Sequence, residues 1–224
     1  MLIGITGETQ SGKNYFADLL QEQLPEYNRY DLSSCINKVI NEHFWKDLNP
    51  DQFKDIEVFT YPNKVREIIE SLERVTGNKI SKFNLITTFI RTFQAYRVNE
   101  KIDENGFRQP PIYKISPRRA CQIFGAEVRG YLDAEFWLKP LKKMTDTIVT
   151  DVKTDKEAEY IRGRGGIMIS IVRRNNLSIE NFVLGQEVSQ HLINQTVLYH
   201  ADSVLMLKAS QIANNLAKGS QYIC

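Results

Sequence analysis

The stretch GITGETQSGKN, residues 4–14, decides the fold. Gly7, Gly12 and Lys13 fit the phosphate-binding pattern G-x-x-x-x-G-K-[ST], with Asn14 in place of the final Ser or Thr. Ahead of it, LIGIT (residues 2–6) is a short apolar, β-branched run and reads as a buried strand. Behind it, Phe16, Ala17, Leu19, Leu20 and Leu24 recur at helical spacing, and Pro25 closes the helix. Strand, glycine-bearing loop and helix are the context the pattern needs. Backbone N–H groups of such a loop point inward, and the helix N-terminus adds partial positive charge.

In this setting Lys13 would reach terminal phosphates as a mobile point charge, and Ser11 and Gly12 would supply backbone donors. The bland alternative is a strand–turn–helix with an incidental Gly-Lys pair; the spacing and the strand weigh against it. Asn14 has two readings that stay open. Its carbonyl oxygen reaches a water of a hydrated Mg²⁺, an ion that keeps several waters in such sites, or it only starts the helix.

Working outward, the alternation continues. NRYDLS (28–33) reads as a second strand, followed by a helix over 33–44 with Ile36, Val39 and Ile40 inward. TIVTDV (147–152) is a strand that delivers Asp151 to its C-terminal end. DKEAEYIRGRG (155–165) is a helix stopped by glycines, GIMISIV (166–172) another strand, DSVLML (202–207) the last strand, and SQIANNLAK (210–218) the closing helix. Strands alternating with helices predict an α/β, three-layer fold with a mostly parallel sheet. Residues 45–115 differ. Polar turn clusters separate two helical patterns, Val65, Ile68, Ile69, Leu72 and Val75, then Leu85, Ile86, Phe89, Ile90 and Phe93. They read as a helical insertion within a single domain over 1–224.

Composition sets bounds. The 224 residues carry 29 Lys+Arg against 27 Asp+Glu, a net charge of +2, which argues against a nucleic-acid-coating surface. Three dispersed cysteines form no C-x-x-C pair, so a disulfide framework or zinc site is not expected and a reducing cytoplasm fits. No apolar run approaches the roughly 20 residues of a membrane span, and the N-terminus lacks a basic leader region. His43, His191 and His200 have no ligand spacing.

Two further sets of residues suggest chemistry. Asp151 ends a strand, the edge where ligands of open α/β sheets sit and where a Mg²⁺-orienting carboxylate belongs. Lys153, Arg162 and Arg164 are nearby cations. The second set lies on SPRRACQIFGAEVRGYL, a helix with Ser116 as N-cap and Pro117 at its first position. At about 100° per residue, Arg118, Gln122 and Arg129 share one face with a gap at Gly125, while Ala120, Phe124, Val128 and Tyr131 lie opposite. Guanidinium forks suit phosphate oxygens, and the glycine gap would let a phosphorylated ligand lie close. A solvated face is the rival reading. Glu127 needs a partner, with Arg119 or a basic residue of the insertion as candidates. Phe136 and Trp137 either stack on a base or pack in the core.

Taken together, GETQSGKN, SPRRACQIFGAEVRGYLDAEFW, IVTDVKTDKEAEYIRGRGG with IMISIVR, and more weakly SQHLINQ, resemble the phage-type deoxynucleoside monophosphate kinases, which are P-loop kinases. The resemblance covers roughly half the chain in the same order. It implies transfer of the ATP γ-phosphoryl group to a deoxynucleoside monophosphate, with Mg²⁺, in a cytoplasmic homodimer (host cytoplasm if phage-encoded). It implies that Gly7, Ser11, Gly12, Lys13 and Asn14 hold ATP, that Asn14 and Asp151 hold the metal, and that Lys13, Asp151, Lys153 and Arg118 are catalytic. Arg118, Gln122, Arg129, Trp137 and Glu157 then bind the substrate, and residues 153–166 form a lid. The chain departs from the family's pattern at Asn14 (Asp), Ala126 (Thr), Lys153 (Arg), at Arg129, which sits one residue early, and in HLIN. Lysine keeps the charge at 153 but loses the bidentate fork. A kinase for another small phosphorylated metabolite, such as phosphomevalonate or dephospho-coenzyme A, and a nucleotide-binding protein without phosphoryl transfer are the alternatives.

Overall fold

The computed structural model describes residues 1–8, 10–43, 56–59, 67, 70–74, 77, 79–81, 94–98, 102–107, 112–131, 133–174 and 188–218. The chain forms two compact units, 1–32 with 141–224, and 33–140.

In the first unit, five strands among the described residues make an all-parallel sheet. They are β1 (Leu2–Thr6), β2 (Asn28–Asp31), β6 (Thr147–Thr150), β7 (Ile167–Arg173) and β8 (Gln195–Tyr199), in the order β2-β6-β1-β7-β8. Parallel sheets are buried on both faces, which is why β1 and β6 are apolar or small without alternation. One face carries Ile3, Ile5, Ile148, Ile169, Ile171 and Val197. They pack under Phe16, Ala17 and Leu20 of α1 (Lys13–Gln23) and Leu205, Ala209 and Ile212 of α5 (Asp202–Ala217). The other face meets α4 (Asp155–Gly163), whose Ile161 lies against Gly4 and Met168. Helix, sheet and helix give the expected three-layer α/β arrangement.

The second unit holds α2 (Ser34–His43), α3 (Pro117–Tyr131) and a three-stranded antiparallel sheet. Its strands are β3 (Ile56–Phe59), β4 (Arg97–Val98) and β5 (Ile112–Ile115), in the order β3-β5-β4. The expected helical insertion over 45–115 therefore also contains a sheet, and the unit around it spans 33–140. Residues 70–74 are helical with Leu72 buried, as the first apolar pattern predicts. The second pattern, Leu85–Phe93, lies outside the described residues. Ser116 caps α3: its Oγ accepts the Arg119 amide at 3.3 Å. Ala120, Phe124 and Val128 are fully buried, which bears out the apolar face.

One strand assignment is corrected. DSVLML opens α5, and the last strand is QTVLY, one segment earlier. A six-residue apolar run does not by itself distinguish strand from helix. Burial does: Leu205 is fully buried, while Leu207, two residues on, is 58% exposed. In a strand the two would share a face. Leu205→Ala should cost about 2–5 kcal/mol in urea unfolding, and Leu207→Ala less than about 0.5 kcal/mol. Equal losses would contradict the helix.

Candidate active site

The site grows from the end of β1. Gly7 has φ 143° and Gly12 φ 81°, both conformations that side chains rarely adopt. A β-carbon on Gly7 would collide with the Ile171 carbonyl oxygen of β7, and one on Gly12 would fall 2.5 Å from the Tyr199 hydroxyl. The chain turns tightly between these two glycines, with the Ser11 amide bonded to the Glu8 carbonyl at 3.1 Å. Gly12 is the N-cap of α1 and no side chain caps the helix, so its first amides face the loop's concavity without a side-chain acceptor. The Lys13 ammonium lies over the loop and donates to the carbonyls of Gly7 and Glu8, each at 2.6 Å. The Ser11 hydroxyl is buried and finds no hydrogen-bond partner among the described residues. Asn14 is exposed at the second position of α1, and the cap itself is Gly12. Burial pushes the Tyr199 pKa up, against the pull of Arg173, so the hydroxyl beside Gly12 stays neutral.

β6 neighbours β1, so the turn after β6 leaves the same sheet edge as the loop. Asp151 sits there with φ 63°, a left-handed backbone that Asp tolerates better than most residues. The Lys153 ammonium pairs with Asp151 Oδ2 at 2.9 Å, with 44% and 21% of the two side chains exposed. The sheet edge thus assembles Gly7, Ser11, Gly12, Lys13, Asn14, Asp151 and Lys153 in one unit.

These residues fit a Mg²⁺-bound triphosphate. The glycine cradle, the uncapped helix start and the unpartnered Ser11 hydroxyl suit phosphate oxygens. No cluster of three metal-ligating side chains is found among the described residues. A lone strand-end carboxylate matches an ion that takes its other ligands from water and phosphate.

Other expectations are corrected. Glu157, expected to contact substrate, is 2% exposed and closes a capping box on α4. Its Oε2 accepts the amides of Lys153 (2.7 Å) and Thr154 (3.0 Å), and its own amide donates to Thr154 Oγ1. Residues 155–163, expected within a lid, form the crossover helix between β6 and β7, with Ala158 and Ile161 buried. The guanidinium of Arg164 donates to the Leu141 and Met144 carbonyls, and that of Arg162 to the His191 carbonyl at 2.9 Å, so both serve the fold.

In the second unit, Arg118 and Arg129 are half-buried and Gln122 is exposed on α3. The glycine gap between them is filled. A β-carbon at Gly125 would lie 2.6 Å from Ile36 Cδ1 of α2, so Gly125 permits close helix packing, not close ligand approach. Trp137 is 1% exposed. Its indole N–H donates to the Gly125 carbonyl at 3.0 Å, and its ring meets Phe136 edge-on at 5.0 Å. It is a core residue and has no face to offer a base. Arg119, one of the two candidate partners for Glu127, donates its Nε–H to the Tyr96 hydroxyl at 3.1 Å.

No local pattern points to the Asp155–Ser189 clamp, which joins residues far apart in the chain. Asp155 accepts the Ser189 amide at 2.7 Å and its hydroxyl at 2.6 Å. These bonds hold the Asp155 carboxyl below its usual pKa. A depressed folded pKa adds stability above the unfolded value, lost as pH falls through the folded one. Wild-type protein should therefore lose more thermal stability than Asp155→Asn on acidification from pH 7 through the carboxylate range. Parallel curves would contradict the clamp.

Among the described residues no helix is long and apolar enough to cross a membrane. No curated protein matches the chain. A family model described as deoxynucleotide monophosphate kinase matches residues 1–203. That match takes in the glycine cradle, the α3 arginines and the Asp151 turn in one frame, and the chain belongs to the deoxynucleotide monophosphate kinase family.

Proposed function

We propose that the protein transfers the γ-phosphoryl group of ATP to a deoxynucleoside monophosphate, giving ADP and a deoxynucleoside diphosphate. The observation that carries this reading is the pairing of a glycine phosphate cradle and Lys13 with Asp151 and Lys153 on adjacent strands of one sheet edge. The family match supports the acceptor class.

An acceptor phosphate oxygen attacks Pγ, the bond from Pγ to the β-bridging oxygen breaks, and ADP leaves with the negative charge. The acceptor is already an anion, so no strong general base is required, and catalysis is positioning with charge neutralisation. The amides at the uncapped start of α1, from Gly12 to Asn14, hold the donor's phosphates. Lys13, now on the Gly7 and Glu8 carbonyls, exchanges these for phosphate oxygens. Lys153 neutralises charge as a point cation. Asp151, with Asn14 through water, would hold Mg²⁺, which would supply positive charge against the phosphates. Arg118, Gln122 and Arg129 bind the monophosphate. A homodimer is carried over from the resemblance, with Leu198 on the edge strand β8 exposed.

The test is ADP release with each common deoxynucleoside monophosphate, with and without Mg²⁺. Acceptor-dependent, Mg²⁺-dependent ADP is expected, and Lys13→Ala should lower kcat by about 10²–10³-fold. Turnover confined to phosphomevalonate or dephospho-coenzyme A would move the substrate class. ATP binding without turnover on any acceptor would make this a nucleotide-binding protein.

A further inference from the structure

We propose that Glu157 is a positioning residue for the Asp151–Lys153 pair, acting through the backbone of the turn between them. The inference rests on the proposed roles of Asp151 and Lys153. Left-handed backbone is a minority conformation for any residue with a β-carbon, and it persists where neighbours over-determine it. The turn after Asp151 is held in that way. The Val152 amide donates to the Ile5 carbonyl at 3.3 Å, and the next two amides, of Lys153 and Thr154, both donate to Glu157 Oε2. Three consecutive amides are thus fixed, two by a buried carboxylate, the stronger kind of acceptor.

A helix cap alone does not account for this. The capping box needs Glu157 only on the amide of Thr154, the N-cap residue. The bond to Lys153, one residue outside the helix and the shorter of the two at 2.7 Å, adds nothing to the cap. It fixes the residue whose ammonium meets Asp151. Glu157 therefore reaches the sheet-edge chemistry without touching nucleotide.

Three variants separate the roles. Thr154→Ala breaks the cap bond to the Glu157 amide and leaves the carboxylate's grip. Glu157→Ala removes the grip, and Glu157→Gln keeps an oxygen that can accept the same amides. Glu157→Ala should lower kcat by about 10–100-fold, with the acceptor KM nearly unchanged. Glu157→Gln should recover most of that loss. Thr154→Ala should lower the melting temperature but hold wild-type kcat. Exchange of the Lys153 amide, followed by NMR, should accelerate in Glu157→Ala and not in Thr154→Ala. Equal kcat losses in Thr154→Ala and Glu157→Ala, or wild-type kcat in Glu157→Ala, would overturn the proposal. If wild-type protein transfers no phosphoryl group, the kinase reading fails and Lys153 amide exchange alone decides: acceleration in Glu157→Ala upholds the grip, and no change overturns it.

Discussion

The backbone of Gly7 passes so close to the Ile171 carbonyl that no side chain fits between the loop and β7. This approach sets the direction in which the chain leaves β1. The tight turn to Gly12 follows, then the entry angle of α1 and the place of Lys13 over the loop. Tyr199 presses on Gly12 from the end of β8, so a second strand of the same sheet bounds the loop. The core beneath, from Ile3 and Ile5 to Phe16 and Leu205, makes that geometry rigid. The proposed phosphate cradle is a consequence of where three strands end.

The second consequence appears one strand over. β6 delivers Asp151 to the same edge, and the strand alone does not fix its side chain, because the left-handed turn must be held. Glu157 supplies that hold from inside α4. Lys153 has one ammonium where the resembling kinases carry a guanidinium fork. Lysine is a point charge on a flexible stem, and the buried grip on its amide limits how far the base of that stem can move.

The parts of this fold governed by local pattern were legible in the sequence. The β1–loop–α1 unit, Asp151 at a strand end, Ser116 as a cap and the apolar face of α3 each follow from spacing of a few residues. What failed depended on contacts distant in sequence. Gly125 looked like room for a ligand because Ile36, some ninety residues earlier, is what fills it. Trp137 and Glu157 looked like site residues by motif, and burial reassigns both. DSVLML carried strand-like composition, and the burial contrast of Leu205 and Leu207 with the pairing of QTVLY on β7 settles which segment is the strand. Arg118, Gln122 and Arg129 keep the places that the helix period gives them.

On the proposed function, the loop between β1 and α1 is the nucleotide's phosphate cradle. Titration with Mg·ADP, followed through backbone amide chemical shifts, tests it most directly. The largest shifts should fall on residues 8–15 and at Asp151 and Lys153, and Gly7→Val should abolish them while the β-sheet amides keep their dispersion. Saturable binding that leaves residues 8–15 unmoved would contradict the account.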